Sequence, residues 1–229
     1  MGSTDQTPNH LMRNHWHRFS EFDAFESVLR EQCRQDSSYR TRLVSGSEPW
    51  MKLRSEEVFG ALHLARALGW QEGEYKIAEA NAAMDIEIRD GPNSHRLQIT
   101  TAGPVWPKGS SHWGRDHKLQ MEQLRKNGHS SGWGPFRRLP SGEIVNNESA
   151  ISRSIRDNAY RCGLTNALSR KSTHQSADLE LVVEAVDYQV WEPETFISFA
   201  RHALDAIPMQ GFAAVHFVTG EPAVYYRSR

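Results

Sequence analysis

Asp85 and Gln98 lie on a stretch that reads as a tight β-hairpin, and Glu57 lies on the helix predicted just before it. Met84-Asp85-Ile86-Glu87-Ile88 and Leu97-Gln98-Ile99-Thr100 alternate apolar and polar residues around a turn containing Asp90-Gly91-Pro92-Asn93. Period two predicts that Met84, Ile86 and Ile88 share one face, as do Leu97 and Ile99 on the partner strand. Asp85, Glu87, Gln98 and Thr100 gather on the other face. Carboxylate and amide oxygens on rigid strands suit a hard divalent cation. The same residue types also suit the wet side of an ordinary sheet.

Glu57 lies on a helix predicted from about Pro49 to Leu68, with Ser47 as its cap and Gly69 as its stop. Spacing puts it on one face with Ala61, Leu64 and Leu68. A carboxylate on an apolar face needs a partner to offset its desolvation, and a metal is one solution, while reaching out to water is another. His10, His15 and His17 in the polar leader, and His112, His117, His129 and His174 further on, lack a repeating ligand spacing.

These side chains must be positioned by a fold of mixed type. Apolar stripes predict helices over Phe19–Cys33, Arg115–Lys126, Glu148–Ser172 and Pro193–Ile207. Ala177–Tyr188 and Gly211–Val218 read as strands, with Ala223–Tyr226 as the candidate partner of the latter. Residues 1–17 read as a loose leader, 37–47 as a linker, and 101–114 and 129–142 as loops. The order predicts an α/β protein with a mixed central sheet flanked by helices. Residues 1–46 are expected to form an N-terminal helical extension, and 47–229 one α/β domain.

The chain of 229 residues has an ordinary composition, 38% hydrophobic and 24% charged, with no apolar run long enough to cross a bilayer. Its polar start carries no secretory core, and Cys33 and Cys162 lie far apart, as reduced thiols do in a cytoplasmic protein. The net charge of −1 predicts no polyanionic partner, but its distribution is uneven. Residues 108–175 carry 12 Lys and Arg against 5 Asp and Glu, whereas residues 176–229 carry 3 against 8. The basic segment also contains Trp113, Trp133, Phe136 and Tyr160. Cations for phosphates and flat faces for bases suit a nucleic-acid surface. Lys108, Arg115, Lys118, Arg137, Arg138 and Arg153 are its candidate contacts. An ordinary solvated segment balanced by acidic neighbours fits the same composition.

A helix with an inward Glu, a hairpin bearing Asp then Gln, and a following helix and strand resemble the core of the PD-(D/E)xK, restriction-endonuclease-like nucleases. The resemblance covers roughly residues 49–190 and implies an αβββαβ core. It further implies a Mg²⁺ or Mn²⁺ site made by Glu57, Asp85 and Gln98, and hydrolysis of phosphodiester bonds of DNA in DNA processing or defence. Gln98 replaces the family's usual acid, keeping an oxygen donor. Thr100 stands where the family's lysine belongs, and Lys171 is the candidate to supply that charge from the following helix, with Arg170 or Arg153 behind it. Two other readings keep different parts of this evidence: an inactive nucleic-acid-binding module of the same fold, and an interaction or assembly subunit. A homodimer or larger complex is compatible with each, and no membrane partner is expected.

Overall fold

The computed structural model describes residues 8–44, 50–70, 72–105, 122, 136–146, 153–186, 192–220 and 224–228. A short 3₁₀ turn (Asn9–Leu11) leads into β1 (Trp16–Arg18), α1 (Phe19–Gln35) and α2 (Ser37–Val44). Then come α3 (Trp50–Leu53), a π-helical turn (Arg54–Val58) and α4 (Phe59–Leu68), followed by β2 (Glu74–Ile77), β3 (Ile86–Asp90) and β4 (Asn93–Ala102). After the small hairpin of β5 (Phe136–Arg138) and β6 (Ile144–Asn146) come α5 (Arg153–Lys171), β7 (Glu180–Ala185), α6 (Pro193–Ala206), β8 (Ala214–Thr219) and β9 (Tyr225–Ser228).

Seven strands form one sheet in the order β1-β2-β3-β4-β7-β8-β9. The strands β4, β7 and β8 run parallel, and the flanking pairs are antiparallel. Parallel pairing requires a crossover, and α5 and α6 supply it before β7 and β8. From α4 onward the main sheet therefore receives a helix, three antiparallel strands, a helix and a parallel strand.

Both faces of the sheet are covered. Ile86, Ile88, Leu97, Ile99, Val182 and Val218 pack with Phe19, Phe22, Leu29, Leu62 and Leu64 in one core cluster. Leu181, Val183, Val215 and Phe217 pack with Leu164, Leu168, Phe196 and Phe199 in another. Expected inner residues Ile86, Ile88, Leu97 and Ile99 share the first cluster, but Met84 packs against the second. It precedes the first residue of β3, so strand alternation does not govern it. The face carrying Gln98 and Thr100 is buried as well, at 7% and 6% exposure, because α5 packs over β4.

Several local expectations shift. The stretch expected as a linker contains α2, because the Asp36 side chain accepts the Ser38 and Tyr39 N–H groups as a helix cap and Leu43 is buried. Strand β4 runs past Thr101 to Ala102, paired with Glu184 and Ala185 of β7. The stretch read as a loop over 129–142 contributes β5. The leader and α1, expected as an extension, contribute edge strand β1 and part of the first core cluster. The helix expected over Arg115–Lys126 lies outside the described residues apart from Glu122.

The hairpin is built as its turn residues require. Asp90 pairs with Asn93, leaving Gly91-Pro92 as the two-residue loop, with Gly91 at φ 57°. That left-handed conformation costs glycine little. At the other end of the hairpin β3 and β4 part at Asp85, and there the candidate site lies.

Candidate functional site

Asp85 stands at the mouth of the hairpin. Its N–H donates to Leu97 O at 2.8 Å, and its carbonyl accepts the Ala78 N–H at 2.9 Å. Its carboxylate Oδ2 accepts the Ile99 N–H at 2.7 Å, where a longer β3 would have placed a backbone carbonyl. The side chain is therefore held by β4 itself. Gln98, adjacent on β4, donates its amide Nε2 to Ala83 O at 2.6 Å, which leaves Oε1 as its outward acceptor. That oxygen is buried and has no partner among the described residues.

The helical segment brings Glu57 to the same place through two irregularities. Phe59 N–H reaches back to Arg54 O, an i to i+5 bond that inserts a π turn around Glu57. Such turns are short bulges inside α-helices and are frequent at functional sites. One turn later Gly60 crosses β4 so closely that a Cβ there would lie 2.7 Å from Ile99 Cγ2. Only a glycine allows that approach. Glu57 consequently lies near enough to Asp85 to feel its charge.

Burial pushes the Glu57 carboxyl up to about 7, against the pull of the Arg13 guanidinium, and the Asp85 charge adds to the rise. Arg13 Nη2 lies 3.5 Å from Glu57 Oε1, whereas Oε2 is buried and has no partner among the described residues. Lys171, on the last turn of α5, reaches Asp85 with Nζ 3.6 Å from Oδ2. The preceding Arg170 donates to Thr100 Oγ1 at 3.2 Å and to Thr101 O at 2.7 Å. Two consecutive residues of one helix end therefore bring cations to Asp85 and to Thr100.

Of the sequence candidates, the structure brings Asp85 and Lys171 into contact, sets Glu57 within electrostatic reach of Asp85, and ties Gln98 to the backbone just before Asp85. Arg153 is remote. It begins the 19-residue helix that Lys171 ends, about 27 Å away along the axis at 1.5 Å per residue, so it cannot stand behind Lys171. Arg138 of the β5–β6 hairpin pairs with Glu122 and donates to Gly142 O at 3.1 Å. Arg137 and Arg153 have only their backbones described, and Lys108, Arg115 and Lys118 lie outside the described residues. Of these six candidate contacts, Arg138 is the one whose side-chain partners fall among the described residues. Arg13 was not foreseen. It precedes the site by most of a domain's first half and no sequence period connects them. Gly60 was equally silent, since a glycine inside a helical stripe signals only a possible close approach.

Among the described residues no group of three or more His, Cys, Asp or Glu side chains gathers in a metal-holding arrangement. The leader histidines follow that result: His17 contacts Met12 O, and the rings of His15 and His17 are 6.5 Å apart. The Glu57, Asp85 and Gln98 set differs in kind, being two carboxylates and an amide. It offers only oxygen donors, two of them buried without a partner. An orphaned buried oxygen costs about 1–3 kcal/mol, and a hard cation reaching either one would relieve it.

No family model, curated protein or solved structure matches the chain.

The site must therefore be read from its own chemistry. Among the described residues, no helix is long and apolar enough to cross a membrane.

Proposed function

We propose that the chain is a divalent-metal-dependent nuclease of restriction-endonuclease-like type that cleaves phosphodiester bonds of DNA. The observation that carries this reading is the Asp85 carboxylate, fixed by the Ile99 N–H and attended by Lys171, with the buried Glu57 close enough to feel its charge. The order of α4, β2, β3, β4, α5 and β7 supports it, because it follows the αβββαβ layout that the sequence resemblance implies.

Asp85, Gln98 and Glu57 would hold Mg²⁺ or Mn²⁺. A cation bound there supplies Lewis acidity toward a phosphoryl oxygen and lowers the pKa of a coordinated water.

The chain's own residues do the rest. The Ile99 N–H holds Asp85 in place, so the carboxylate needs no reorganisation when charge develops nearby. Lys171, against Asp85, would supply the charge that Thr100 lacks, its ammonium orienting water and stabilising negative charge that gathers on the phosphate. Arg170 fixes the Thr100 hydroxyl and the Thr101 carbonyl, which keeps the end of α5 seated on β4. Helix α4, held close by Gly60, keeps Glu57 from withdrawing into water. A role in DNA processing or in defence against foreign DNA, within the cytoplasm, fits this chemistry.

Asp85→Asn tests the reading more cleanly than Asp85→Ala. Asp85 accepts the Ile99 N–H, so alanine would leave a donor without its partner, while the asparagine amide oxygen still accepts it. Cleavage of plasmid DNA with Mn²⁺ should disappear in Asp85→Asn while the melting temperature stays near that of the wild type. Cleavage at the wild-type rate would sink the assignment. Binding of DNA without cleavage by the unmutated protein, in any divalent metal, would favour an inactive module.

A further inference from the structure

The segment ahead of the sheet delivers a third cation to this cluster. Leu11 is buried at 1% exposure, and Tyr75 donates its hydroxyl to His10 O at 2.7 Å. Asn14 donates its N–H to Ile77 O at 2.8 Å, adopts a left-handed φ of 61°, and hydrogen-bonds Glu79 through its side chain. Asparagine tolerates that conformation better than most residues. These contacts strap residues 10–14 across the end of β2 and leave Arg13 little choice of place. Its Nη1 donates to Ala78 O, and Nη2 lies 3.5 Å from Glu57 Oε1. The Ala78 N–H in turn donates to Asp85 O, so the strap, the end of β2 and Asp85 form one connected unit.

The pairing of Arg13 with Glu57 is incomplete. A distance of 3.5 Å exceeds that of a charge-assisted hydrogen bond, the second Glu57 oxygen is orphaned, and the Arg13 side chain keeps 33% exposure. A guanidinium offers five donors in a planar fork matched to phosphate, and only part of that capacity is used here. Lys171 approaches Asp85 with a similarly long contact, so each carboxylate is attended by a cation that does not lock it.

We propose that Arg13 is a phosphate-binding residue of this site, pairing loosely with Glu57 in the metal-free protein and engaging a DNA phosphate once a divalent cation takes Glu57. The inference rests on the nuclease reading above. A cation on Glu57 repels the guanidinium from its present partner, and the strap keeps the released fork beside the reacting groups, where a phosphate would replace the lost counter-charge.

The experiment uses the full chain with Arg13→Ala and Arg13→Lys. Mn²⁺ affinity is measured by calorimetry, and DNA affinity by anisotropy of a fluorescein-labelled duplex in Ca²⁺, a poorer Lewis acid that spares the strand. Arg13→Ala should bind Mn²⁺ more tightly, because a competing cation is gone, and DNA about ten-fold more weakly, because a bidentate contact is lost. Arg13→Lys should keep the wild-type Mn²⁺ affinity yet recover only part of the DNA affinity, and it decides the matter if the alanine variant fails to fold. A merely structural Arg13 would weaken both affinities together, and that outcome overturns the proposal, as does unchanged DNA affinity. If the wild type binds no Mn²⁺, the nuclease reading falls first and Arg13 with it. If the wild type binds Mn²⁺ but Arg13→Ala leaves DNA binding intact, only the role of Arg13 falls.

Discussion

Glu57→Gln should make the protein more stable at pH 8. The Glu57 carboxyl sits at about 7 against an ordinary 4.5, chiefly because burial penalises its charge. That difference corresponds to about 3 kcal/mol at 1.36 kcal/mol per pH unit. The side chain keeps 22% exposure, so solvent screening brings the working figure to about 2 kcal/mol. The sign follows from which state holds the proton. Below about pH 4.5 folded and unfolded chains are both protonated at this position, and the favourable contribution of the neutral carboxyl is fully present. From there to about pH 7 the unfolded chain loses its proton first, and that stability is progressively lost. Glutamine keeps the shape without the charge, so it escapes the loss. At 2–4 °C per kcal/mol for a chain of this size, the variant should melt about 4–8 °C higher than the wild type at pH 8, with little difference at pH 4.5. Thermal melts monitored by circular dichroism across that range, in EDTA, make the measurement. A variant less stable than the wild type at pH 8, or a gap that does not vary with pH, would refute the reasoning. The same substitution should weaken Mn²⁺ binding, because a carboxylate held at a cost to stability is what a functional site retains.

Lys171→Ala should lower the DNA cleavage rate by two or more orders of magnitude, on the order of 3 kcal/mol in the barrier, with DNA affinity nearly unchanged. Single-turnover rates beside anisotropy titrations separate the two, and a variant that cuts normally would show that the charge comes from Arg170 or elsewhere. On the other face of the sheet from Gln98, burial would raise the Glu180 carboxyl, but hydrogen bonds accepted from His216 at 2.6 Å and His95 at 2.8 Å outweigh it and hold the group at about 2. Its contribution, about 2 kcal/mol after screening, is present above the ordinary carboxylate value of 4.5 and is lost as pH falls toward 2. Acid unfolding followed by tryptophan fluorescence should therefore show a limb below pH 4.5 that flattens in Glu180→Gln, and an unaltered limb would place the acid sensitivity in other carboxylates.

Sequence alone determined the local pieces of this protein. Alternation over Asp85–Thr100 and the Asp-Gly-Pro-Asn turn specify a hairpin because side-chain direction has period two and a two-residue loop needs a residue that accepts positive φ. The 3.6-residue stripe from Pro49 to Leu68 and its closing Gly69 specify a helix, and together they bring forward Glu57, Asp85 and Gln98 as an oxygen set. A capping aspartate at position 36 was legible too, since Asp followed by Ser-Ser-Tyr is a helix start, but the serines around it read as a linker. Tertiary structure decided what those oxygens face. The polar side of the hairpin is dry because α5 crosses over β4, and Lys171 and Arg170 reach Asp85 and Thr100 because β7 pairs in parallel with β4 and draws the end of that helix to the sheet. Arg13 meets Glu57 only because the leader folds back along β2, and the helix that follows Glu57 seats on β4 only because Gly60 allows the close passage. Periodicity reports the direction of a side chain relative to its own element. The partner it meets depends on contacts between distant parts of the chain, and those have no period to read.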